Sequence, residues 1–103
     1  MSLLIIRTVA VDTSRGLRIW MEGNKLAEKN WVGGTKYRVE YYADEIALVR
    51  DESGKRAVTS GSRAGKPRPI IELRSKKNDD VFFAGDELLC TISINMISIM
   101  RAK

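Results

Sequence analysis

Eight cations stand between Glu52 and Asn78, namely Lys55, Arg56, Arg63, Lys66, Arg68, Arg74, Lys76 and Lys77, against the single acid Glu72. Residues 1–52 balance at eight charges of each sign, and residues 79–103 carry two cations and four acids, so the net +5 of the chain arises in this one stretch. Lysines and arginines spread through small residues suit a phosphate backbone, because successive cations along a polyanion displace its condensed counterions. We assign that role to Lys55, Arg56, Arg63, Lys66 and Arg68, with Arg15 and Arg18, which flank Gly16, as a second pair. No base-reading motif accompanies them, which points to contacts that position a nucleic acid more than they specify a sequence. The same composition also describes a connector kept soluble by its charge.

Other chemistries find little support. The chain has no histidine, which removes histidine-based triads and histidine metal sites. Its one cysteine, Cys90, cannot close an intramolecular disulfide, and its apolar or small neighbours from Leu88 to Ile94 mark a buried hydrophobe. The acid pairs Asp44-Glu45, Asp51-Glu52, Asp79-Asp80 and Asp86-Glu87 fall in expected turns or helix surfaces, without ligand spacing. The stretch Gly54 to Lys66 lacks the Gly-Lys-Ser/Thr ending of a phosphate loop. No catalytic residue, metal ligand or cofactor is therefore assigned. Among the aromatics, Trp20, Trp31, Tyr37, Tyr41, Phe82 and Phe83 alternate as core residues, and Tyr42, out of phase with Tyr37 and Tyr41, is the candidate ring for stacking on a base.

The elements that must position these residues follow from period and punctuation. A chain of 103 residues, 44% apolar and 30% charged, has room for one small folded domain with a modest core. Leu3 to Val11 is rich in β-branched residues and reads as a strand, ending at the turn-like Asp12 to Gly16, so residues 1–16 form an N-terminal strand and turn. The apolar run Leu3 to Ile6 stops at Arg7, four residues where a signal peptide needs about 7 to 15 and a spanning helix about 20. A cytoplasmic protein without a membrane partner is expected.

Laid on itself at an offset of 51, the chain matches without gaps. Trp31-Val32-Gly33-Gly34-Thr35 falls on Phe82-Phe83-Ala84-Gly85-Asp86; Tyr37, Val39 and Tyr41 fall on Leu88, Cys90 and Ile92; Ile46, Leu48 and Arg50 fall on Ile97, Ile99 and Arg101. Asn24 falls on Ser75, both good helix N-caps. Each half reads as a strand, a short helix, a glycine turn and a hairpin: 17–21, 24–30, 32–34, 37–42 and 45–50, then 69–74, 75–81, 84–85, 88–94 and 96–101. The organisation expected is repeat 1 over 17–52, a basic flexible linker over 53–68, and repeat 2 over 69–103, with Pro67 and Pro69 marking the boundary.

The first half, with Gly23 and Leu26 as Gly-x-x-Leu, Gly34-Thr35 at the turn, Val39 in alternation and Ile46-Ala47-Leu48 as closing strand, resembles the swapped-hairpin barrel unit of AbrB-like regulators, closest to the SymE-type toxin branch. Gly85-Asp86 matches the commoner Gly-Asp form, whereas Arg74 and Lys77 stand where Gly23 and Leu26 were. The resemblance implies a mainly β fold, a small barrel from two duplicated strand-helix-hairpin units, with DNA a more usual partner than RNA. It also implies a homodimer by hairpin swapping if the two halves pair between chains. Two other readings remain open: a protein-binding inhibitor or interaction module of phage or mobile-element origin, and a SymE-like RNA-cleaving toxin.

Overall fold

A computed structural model describes residues 3–63 and 65–102, with nine strands, one α-helix and one 3₁₀ helix among them. The strands are β1 (Leu4–Val9), β2 (Leu17–Glu22), β3 (Lys36–Tyr41), β4 (Glu45–Arg50), β5 (Arg56–Ala57), β6 (Thr59–Arg63), β7 (Lys66–Ser75), β8 (Glu87–Ile92) and β9 (Met96–Arg101). Helix α1 (Asn24–Glu28) follows β2, and the 3₁₀ helix Lys76–Asp80 follows β7. The fold is mainly β. All ladders are antiparallel, in a six-stranded sheet of order β1-β8-β9-β4-β3-β5 and a three-stranded sheet of order β2-β7-β6. The isolated bridge Val11↔Arg18 links β1's end to β2.

Period two decides which side of each strand faces inward. Leu17, Ile19 and Met21 of β2, Ile71 and Leu73 of β7, Leu88, Cys90 and Ile92 of β8, and Ile97 and Ile99 of β9 fill one core with Trp31, Tyr37 and Phe82. In β4 the pattern breaks: Ile46, Ala47 and Leu48 are buried in succession. At Gly16, with φ +104°, a Cβ would sit 2.4 Å from the backbone of Ser75 and Lys76, so the turn before β2 packs directly on the start of the 3₁₀ helix.

The hairpin strands fall 51 positions apart: β3 and β8 start and end at matching residues, as do β4 and β9. Gly34 and Gly85 hold left-handed φ values of 90° and 89°. Three expectations need correction. Residues 53–68, read as a flexible linker, hold β5, β6 and the start of β7; glycine and serine there leave backbone bonds free to pair, and Thr59 to Arg63 pairs with Lys66 to Ile70. The second helix is 3₁₀, and it is capped by the Ser75 hydroxyl accepting from the Lys77 N–H. The N-cap of α1 is Gly23, at φ 114°, rather than Asn24. No ladder among the described residues closes the two sheets into a barrel.

Candidate nucleic-acid interface

The register of the small sheet fixes which charges meet. Leu17, Ile19 and Met21 point into the core, so Arg18, Trp20 and Glu22 must point out, and they lie opposite Arg74, Glu72 and Ile70 of β7. On the other side of β7, Thr59 pairs with Ile70, Gly61 with Arg68 and Arg63 with Lys66. Lys66, Arg68 and Arg74 therefore share one face of β7 with Arg18 on β2. At about 3.3 Å per residue the row from Lys66 to Arg74 is roughly 26 Å long.

Part of that charge is already matched. Arg68 Nε stands 3.3 Å from Glu22 Oε2, and Arg74 reaches Glu72 Oε2 at 2.9 Å. The Arg68 contact is an ion pair without hydrogen-bond alignment: its Nε, like that of Arg18, is buried with no hydrogen-bond partner among the described residues. The Arg68 guanidinium lies over Gly23, where a Cβ would approach it to 3.1 Å. Arg18 has its guanidinium carbon 5.6 Å from the centre of the Trp20 ring, a cation–π contact that leaves its charge uncancelled. Beside them Arg18, Trp20 and Glu22 face Thr8, Val9 and Val11 across a groove of about 410 Å³.

Of the sequence-predicted residues, Arg18, Lys66 and Arg68 come together on this face. Arg63 joins them by register, and its side chain lies outside the described residues. Three do not join. Arg15 sits exposed in the turn before β2, its N–H donating to the Thr13 hydroxyl. Lys55 lies in a bend, and Arg56 in β5 opposite Tyr37, at the edge of the six-stranded sheet. Burial pushes the Tyr37 phenol up, and the Arg56 charge opposes that.

Sequence reasoning missed Arg74, counted in the charge excess but not assigned, and Trp20, taken as core. The signal was present, since Leu17, Ile19 and Met21 in phase leave Trp20 with Arg18 and Glu22 on the far face. Phe83, also taken as core, is 73% exposed. Tyr42 is exposed as expected, but its hydroxyl donates to Glu40 at 2.7 Å in the β3–β4 hairpin, away from the cationic face.

The remaining chemistry is structural. Cys90 is buried, and burial pushes its thiol up to about 12. Among the described residues no group of three or more acids and cysteines is placed to hold a metal. Arg50 lies 4.7 Å over Trp31 and donates to the carbonyls of Lys29, Asn30 and Ile94. Arg101 lies 5.9 Å from Phe82 and donates to Val81 and to Asp86. No helix of the described residues is long and apolar enough to cross a membrane. Comparison with protein-family models, curated proteins and solved structures finds no match.

Proposed function

We propose that this chain binds nucleic acid, duplex DNA in preference to RNA, on the outer face of the β2-β7-β6 sheet, as an AbrB/SymE-like regulator would. The observation that carries the reading is the row of Lys66, Arg68 and Arg74 along one face of β7, with Arg18 and Trp20 beside its Arg74 end on β2. The arginines supply phosphate contacts and the indole a surface for a sugar or base. Glu22 and Glu72 hold the flanking guanidinia in place, which lowers the ordering cost when a phosphate arrives.

The same proposal takes the chain as two copies of one unit closing a small barrel. Supporting it, the β4–β9 register pairs Ile46 with Ile99 and Leu48 with Ile97, and each pair maps onto the other at the offset of 51. Ala10 exchanges hydrogen bonds with Gly85 and Asp86 as Val58 does with Gly34 and Thr35. Val58 alone separates β5 from β6, so one bent strand serves both sheets there, as β1 and Val11 do at the other junction. The β4–β9 ladder forms within the chain, and a hairpin-swapped homodimer would use the same contacts between chains.

The test is fluorescence anisotropy of labelled random duplex DNA, single-stranded DNA and RNA at two salt concentrations. We expect tightest binding to duplex, and a log–log salt slope that falls by about 3 when Arg18, Lys66 and Arg68 are all changed to alanine. A matched variant with Arg15, Lys55 and Arg56 changed to alanine should bind nearly as the parent does. Absence of binding at low salt, or equal loss in both triple variants, overturns the reading. Degradation of the RNA probe would instead support the toxin alternative.

A further inference from the structure

The edge of β1 is unlike the other outer edge of its sheet. β5, at the far end of the six-stranded sheet, is two residues long, whereas β1 runs for six and pairs on one side only. In an antiparallel strand the N–H and C=O of one residue point the same way, and successive residues alternate. Ala10 donates to Asp86 and accepts from Gly85, so Ala10, Thr8, Ile6 and Leu4 turn their backbone groups toward β8. Ile5, Arg7, Val9 and Val11 turn theirs outward. Val11 spends both on Arg18, and the Ile5 carbonyl accepts from Lys25 Nζ at 2.9 Å. Between these two clamps the N–H and C=O of Arg7 and Val9 have no partner among the described residues, and the groove shared by Val9, Val11 and Trp20 opens beside them.

The outward side chains add an apolar surface: Ile5 is 44% and Val9 45% exposed. A free, apolar edge is an association site unless something blocks it. Arg7, between Ile5 and Val9 on the same face, blocks one partner and selects another. Self-pairing of two β1 strands in the register that sets Ile5 against Val9 would place Arg7 directly opposite Arg7, which is unfavourable. An acidic residue in that position is favourable.

We propose that the Arg7–Val9 edge of β1 captures an extended polypeptide segment from a partner protein, by strand addition, with a carboxylate opposite Arg7 and apolar residues opposite Ile5 and Val9. The backbone bonds supply attachment, Arg7 supplies the choice of charge, and the Val11 and Lys25 clamps limit the segment to a few residues. This site adjoins the cationic sheet face across the groove that Val9 and Val11 share with Arg18 and Trp20, but its backbone bonds use none of the cations assigned to nucleic acid.

The probe is a synthetic seven-residue peptide in which threonines alternate with valine, glutamate and valine, titrated into the ¹⁵N-labelled full chain. The expected result is saturable shifts of the Arg7 and Val9 amides and slowed hydrogen exchange at both. Replacing the glutamate by glutamine should weaken binding about threefold. Val9→Pro removes an N–H that the β1–β8 ladder does not use, so the fold should persist, as judged by unchanged β8 and β9 resonances, while binding is lost. Arg7→Glu should reverse the preference to a lysine peptide. No shift at millimolar peptide, shifts confined to β5 or β6, or full binding by folded Val9→Pro would each overturn the proposal.

Discussion

The two short helices occupy corresponding places 51 residues apart and are anchored by opposite means. Under α1 lies Leu26, fully buried, with no side-chain cap at Gly23. At the matching position of the 3₁₀ helix Lys77 points outward, 5.8 Å from the Tyr41 ring, and the buried residue is its neighbour Asn78. The Asn78 amide donates to the carbonyls of Leu17 and Leu73, while Asp79 accepts from the Leu17 N–H. One segment is held by apolar area and the other by directed hydrogen bonds that also tie down the start of β2. Area tolerates a change of shape; a buried amide tolerates almost no replacement, because its partners are left without water.

The sharpest way to break the comparison is truncation at both anchors. Leu26→Ala should cost about 3 kcal/mol in urea unfolding and Asn78→Ala about 2 kcal/mol. Leu26→Met should recover most of the first loss, while Asn78→Leu should recover little of the second. Equal recovery would show that area, not hydrogen bonding, seats both.

The next contrast lies in the paired arginines. Arg50 satisfies three carbonyls and stacks closely on Trp31, whereas Arg101 satisfies one carbonyl and shares its charge with Asp86. Arg50→Ala should lower stability by about 2 kcal/mol and Arg101→Ala by less, measured as the shift of the unfolding midpoint.

The smallest effect separates Thr35 from Asp86, which fill the same turn position. The Thr35 hydroxyl accepts from the Val32 N–H, and the Asp86 carboxylate accepts from the Phe83 N–H. The Phe83 N–H, then Arg101, holds the Asp86 carboxyl below its usual 3.8. A carboxyl depressed in the folded state adds stability that is complete above its unfolded value and lost as pH falls through the folded one. The advantage of the parent over Asp86→Thr should therefore be constant near neutrality and shrink below about pH 4, followed by thermal melts at stepped pH.

Much of the architecture was legible in particular residues. Alternation in Tyr37 to Tyr41 and Leu88 to Ile92, with Gly34 and Gly85 at matching distance, located four hairpin strands within a residue or two. The stretch around Gly61 was misread because small residues signal flexibility in isolation, and its order comes from pairing with β7, a contact no local pattern reveals. The cationic face was half legible: charge density marked Lys66 and Arg68, but only the β2–β7 register brings Arg18 and Arg74 to them.

The pairing of β1 with β8 has a consequence for biosynthesis. Val9 meets Glu87, so 78 residues separate partners across that ladder. At a translation rate of roughly 5 to 20 residues per second, the first strand is synthesised about 4 to 16 s before its mate. During that interval its isoleucines and valines have no sheet to join, and the nascent chain offers them to whatever chaperone stands at the tunnel exit.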